Sequence, residues 1–169
     1  MFDMLVGTEH RVVLTLYTDA YIARGTINTR QRRVTDILNG AEEGFLILTE
    51  VELEEFGNRS QPLTAPYAQI NLAAVLFAVA DTPVEPVPEL RTPKVPERAL
   101  ITIPPFKVTG RIHLLPERTL RVALSELTGG FLPVTEATFW SDSIASPKTS
   151  AVMVAVNHAR AQILMPYEG

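Results

Sequence analysis

The chain has 169 residues, 46% hydrophobic and 20% charged, which is enough to bury a sizeable core and ordinary for a folded protein. It has no cysteine, which excludes disulfides, iron–sulfur clusters, thiolate zinc sites and thiol catalysis. The net charge of −4 is uneven: residues 1–85 hold twelve acids and six bases (−6), whereas 86–169 hold seven acids and nine bases (+2). Opposite signs favour packing between the halves, within one chain or between chains.

In chain order, residues 1–11 carry acids early and no long apolar run, unlike a signal peptide. Residues 11–17 read as a first strand. After the short link Thr18-Asp19-Ala20 comes a second, in which Tyr21, Ala23, Gly25 and Ile27 share one face in the two-residue period of a half-buried strand. Gly25 in mid-strand marks a bend or bulge. Residues 33–39 read as a short helix stopped at Gly40. Residues 45–53 read as a third strand, 54–66 as a polar loop, and 70–79 as two short strands around a turn. The longest apolar stretch, 72–80, is too short to span a bilayer, so a cytoplasmic location and no membrane partner are expected.

Residues 82–97 contain five prolines in sixteen positions and read as a stiff spacer. Beyond it the pattern recurs: strands at 98–103 and 106–114, a helix at 119–127, a strand at 131–139, a polar loop at 140–150, and closing strands around 152–156 and 163–165. The repeat is visible in the residues. Gly44-Phe-Leu-Ile-Leu-Thr-Glu-Val-Glu-Leu53 returns as Gly130-Phe-Leu-Pro-Val-Thr-Glu-Ala-Thr-Phe139 at an offset of 86, and an offset of 85 pairs Gly25 with Gly110. Two copies of so long a period predict a duplicated domain, with units 1–81 and 98–169 joined by 82–97.

Five short strands per unit predict an all-β chain with a minor helix, a tandem of two small five-stranded barrels. The run Leu16-Tyr-Thr-Asp-Ala-Tyr-Ile-Ala-Arg-Gly-Thr-Ile27, with its closing strand–turn–strand, resembles the first motif and topology of Sm-like proteins and of SH3-like barrels. The family's Asp-x-x-Met-Asn segment and closing Arg-Gly pair are absent. Asn71-Leu72 and Asn157-His158 stand at the pair's place, so its RNA contacts do not carry over. The overall pattern also resembles duplicated bacterial domains of unknown function.

No catalytic or metal motif is present, and no cofactor is implied. His10, His113 and His158 have no metal-type spacing. Glu50 and Glu136, from the repeated Thr-Glu pair, stand at matched positions and could form a carboxylate pair for acid–base work; the plainer reading is solvent-facing strand residues. Arg32, Arg33, Arg111 and Arg118 form basic patches that could hold phosphate, but aromatics are not interleaved for base stacking. Asp36 and Arg121 differ in sign three residues after the matched Arg33 and Arg118, and are expected to face each other if the units pack about a pseudo-twofold axis. The leading functional expectation is a non-enzymatic binding or assembly module, partnered by itself or by another protein. Nucleic-acid or nucleotide binding is second, and an enzyme using Glu50 or Glu136 third.

Overall fold

The computed structural model describes residues 8–31, 33–57, 61–81, 95–114, 119–126 and 130–168. The chain is mostly β and divides into two compact units, Met1–Pro86 and Val87–Gly169.

In the first unit, β1 (His10–Tyr17) and β2 (Tyr21–Thr29) form an antiparallel hairpin. Val12, Leu14 and Leu16 alternate into the core because successive strand side chains point to opposite faces. The turn is held by Thr18, whose Oγ accepts from the amides of Ala20 and Tyr21 at 3.2 and 2.8 Å. α1 (Val34–Asn39) follows, burying Val34, Ile37 and Leu38, the one-sided spacing of a helix. It ends where the Gly40 amide donates to the Asp36 carbonyl at 2.9 Å. β3 (Phe45–Glu55) pairs with β2 and with β4 (Leu63–Asn71). A 3-10 turn, Leu72–Ala74, leads to β5 (Phe77–Ala80), which returns to β1. The strand order is β5-β1-β2-β3-β4.

In the second unit, β6 (Val95–Ile103) and β7 (Phe106–Leu114) form the hairpin, with a cis Pro104–Pro105 bond between them. α2 (Leu120–Glu126) begins at Thr119, whose Oγ accepts from the Val122 amide at 3.2 Å. β8 (Phe131–Ser141), β9 (Ser146–Asn157), a 3-10 turn at His158–Arg160 and β10 (Ile163–Pro166) complete it, in the order β10-β6-β7-β8-β9. Phe106, Val108, Val134, Phe139 and Val154 are buried in its core.

Within each unit the sheet is open in its hydrogen bonding: among the described residues no ladder joins β4 to β5 or β9 to β10. The stretches read as polar loops differ most from expectation. β3 runs on to Glu55 and β4 starts at Leu63, inside the expected 54–66 loop; β8 and β9 likewise leave only 142–145 as turn. The start of β4 is exposed at every residue from Leu63 to Tyr67, so it lacks the apolar alternation that reveals a strand. β6 also begins three residues inside the expected spacer. Pro96 is tolerated there because β10 pairs only with Ala99–Thr102, leaving no ladder for it to interrupt on that side. Of the spacer, residues 82–94 lie outside the described residues.

Candidate functional site

The repeated Thr-Glu pair forms a β-bulge. Between β2 and β3 the register shifts: Arg24 faces Glu52 but Thr26 faces Thr49. Between β7 and β8, Thr109 faces Thr138 but Arg111 faces Thr135. The extra residue is Glu50 in one unit (φ 52) and Glu136 in the other (φ 48), both left-handed. Thr49 and Thr135 donate from Oγ to the carbonyls of Thr26 and Arg111, at 3.3 and 3.5 Å. The mid-strand glycines face these bulges. A Cβ on Gly25 would meet the Thr49 carbonyl at 3.1 Å, and one on Gly110 the Thr135 carbonyl at 2.8 Å. The bend expected from Gly25 and Gly110 is therefore made by the neighbouring strand, and the glycines admit it.

The two glutamates do not form a pair enclosed in a site. Their side chains are 70% and 66% exposed, and each meets an arginine of its own unit: Glu50 with Arg11, and Glu136 with Arg111. Arg111 Nε lies 2.8 Å from Glu136 Oε2, an ion-pair contact without the alignment of a hydrogen bond. His113 Nε2 lies 2.6 Å from Thr135 Oγ. Asn71 and Asn157 each cap a 3-10 turn, accepting from the amides of Ala73 and Ala159 at 3.1 and 3.2 Å.

Of the arginines singled out by sequence, Arg33 precedes α1 and Arg111 lies on β7, while Arg32 and Arg118 fall outside the described residues. Asp36 and Arg121 are each exposed near the start of α1 and α2. Among the described residues no group of three or more histidines and carboxylates is placed to hold a metal ion. No helix among them is long and apolar enough to cross a membrane.

Sequence reasoning missed the outer sheet faces, where the units differ. In the first unit, Thr15 of β1 stands beside Arg24 of β2, which stands beside Glu52 of β3; Tyr17, Ile22 and Glu54 form the next row. Asp81, just past β5, ties this face together. Its Oδ2 accepts from Arg24 Nε at 2.6 Å and its Oδ1 from Thr15 Oγ at 2.9 Å, while its amide donates to the Val13 carbonyl at 2.9 Å. Tyr17 stacks on Phe77 with ring centroids 4.6 Å apart. Burial, then the negative charges of Asp81 and Glu54, push its phenol above the ordinary tyrosine range.

The corresponding rows of the second unit are Leu100–Thr109–Thr138 and Thr102–Lys107–Trp140. Lys148 lies over the Trp140 ring, 5.0 Å from its centroid. One row further, Arg98 stands directly opposite Arg111, where the first unit has Val13 opposite Thr26. Tyr167 takes the place of Asp81, donating its amide to the Arg98 carbonyl at 3.1 Å. Where the first unit carries Glu52, Glu54 and Asp81 the second has Thr138, Trp140 and Tyr167, and where the first has Val13, Ile22 and Thr26 the second has Arg98, Lys107 and Arg111. The signal was available in the non-matching outward positions of the aligned strands.

Comparison with known proteins adds no relationship: no protein-family model, curated protein or solved structure matches the chain.

Proposed function

We propose that the protein is a non-enzymatic assembly module, two SH3/Sm-like small barrels related by tandem duplication, which self-associates through the outer edge of β4. The shared strand order and the matched bulges, glycines and asparagine caps support the duplication. A 3-10 turn between the last two strands of each unit supports the small-barrel reading.

The assembly reading is carried by one observation. Among the described residues β4 pairs only with β3, yet it holds Leu63 and Tyr67 at 70% and 68% exposure. An edge strand with large apolar side chains offers backbone groups and apolar area together. Pro66, between them, removes one donor and limits indiscriminate pairing. Burying Leu63 and Tyr67 would contribute about 1.5–3 kcal/mol each. Light scattering after size exclusion tests this. The wild type should run as an oligomer, and Leu63→Lys with Tyr67→Lys should reduce its mass without changing the far-ultraviolet dichroism. A wild type that is monomeric at every attainable concentration would overturn the reading.

A second reading, nucleic-acid binding, rests on the cations of the second unit's outer face. Salt-sensitive retention of the wild type on an RNA or heparin column would favour it.

A further inference from the structure

The two outer faces are built on the same scaffold and carry opposite charge. On the first unit's face lie Glu50, Glu52, Glu54 and Asp81 beside Arg11 and Arg24. On the second unit's face lie Arg98, Lys107, Arg111 and Lys148 beside Glu136. Arg98 stands directly opposite Arg111, a like-charge cross-strand pair in which Glu136 meets Arg111 alone, so the face keeps a surplus of positive charge. Such an arrangement is expected of a surface whose complement comes from outside the unit.

We infer that the basic outer face of the second unit docks on the acidic outer face of the first unit of another copy of this chain. The inference rests on the self-assembly reading above and adds to the β4 edge a second contact, between these faces. Charge complementarity selects the occupant. Each chain carries an acidic and a basic face, so a head-to-tail contact joins opposite signs, whereas either face meeting its own kind joins like signs. A nucleic acid would supply negative charge too, but Lys148 already lies over the Trp140 ring, which obstructs base stacking there.

The experiment is a charge-exchange pair. One variant carries Arg98→Glu and Lys107→Glu, making both its faces acidic; the other carries Glu52→Lys and Glu54→Lys, making both basic. Each alone should associate at least about tenfold more weakly than the wild type, and mixing them should restore association in a 1:1 complex. Raising salt from about 0.05 M to about 0.5 M should weaken the wild-type contact, because the Debye length shortens severalfold. The neutral pair Arg98→Gln and Lys107→Gln should give an intermediate loss, with dichroism reporting that every variant is folded.

Loss of association in Leu63→Lys with Tyr67→Lys, but none in either charge variant, would overturn this inference and leave the β4 reading standing. Failure of the mixture to recover would also overturn it. A wild type monomeric in light scattering yet retained on heparin would overturn it in favour of a polyanion ligand.

Discussion

A side chain added at Gly110 would place its Cβ 2.5 Å from Val134 Cγ1 and 2.8 Å from the Thr135 carbonyl oxygen. Gly25 is crowded in the same way, with Leu48 Cβ at 2.9 Å and the Thr49 carbonyl at 3.1 Å. Neither glycine is needed for an unusual φ; each is needed because the bulge of the adjacent strand lies against it. Gly110→Ala should therefore cost about 1–3 kcal/mol by overpacking, and Gly25→Ala less. Urea denaturation of the two variants measures the difference. Equal stability with the wild type would mean that the bulges yield at little cost.

Glu50 and Glu136 test the same device from the other strand. Both hold a left-handed backbone, which costs a residue with a Cβ about 1–2 kcal/mol. Their exposed ion pairs return at most about 1 kcal/mol. Glu136→Gly should thus stay within about 1 kcal/mol of the wild type. Glu136→Val, with a β-branched side chain at positive φ, should lose about 1–2 kcal/mol relative to Glu136→Gly. Thermal unfolding of the two variants compares them, and equal melting would remove the assignment of Glu136 as a bulge residue.

The Asp81 carboxylate binds Arg24 and Thr15 at once, linking the end of β5 to β1 and β2. With side chains 30% and 51% exposed, Asp81 and Arg24 form a screened pair. Asp81→Asn, which keeps the shape and removes the charge, should cost about 1 kcal/mol. It should also lower the Tyr17 pKa, since Asp81 is one of the charges opposing the phenolate. Ultraviolet titration reads this directly. With its folded pKa raised above its unfolded one, Tyr17 binds its proton more firmly in the folded state. Its contribution to stability is complete below the ordinary tyrosine value of 10.0 and is lost as pH rises through the higher folded value. A Tyr17 titration unmoved by Asp81→Asn would contradict the placement.

The asparagine caps make a matched pair of unequal weight. Asn71 is exposed and Asn157 is buried, though both accept an amide two residues on. Replacement by alanine should cost about 0.5–2 kcal/mol. Asn157→Ala should lie nearer the upper end, because the Asn157 side chain is itself buried and its removal leaves a gap as well as a lost hydrogen bond. Chemical denaturation with equal losses at the two positions would refute the ranking.

Much of this architecture was legible in the residues. The first hairpin is legible in the alternation of Tyr21, Ala23, Gly25 and Ile27 and in its short link, and the end of the first helix in Gly40; the matched asparagines mark a turn, but their capping role appears only in the structure. The starts of β4 and β9 were not legible, because strand residues exposed on both faces have no apolar period. The Thr-Glu pair was visible as a repeat, with solvent-facing strand residues as its plainer reading, but nothing in it pointed to a bulge. Its bulge appears only once the register of β2 against β3 is known, since a bulge is a relation between strands.

The sequence by itself determined that the chain is β-rich, that the Gly-Phe-Leu and Thr-Glu positions recur at an offset of 86, and that the halves carry opposite net charge, because periodicity, spacing and composition are local or additive properties. Only the tertiary structure decided which charges share a face. Arg24 and Asp81 are 57 residues apart, and Lys107 and Trp140 come from different strands; pairing register and the alternating direction of side chains bring them together. For the same reason the repeated Glu50 and Glu136 proved to be backbone devices, while the unrepeated residues on the two outer faces carry the surface chemistry.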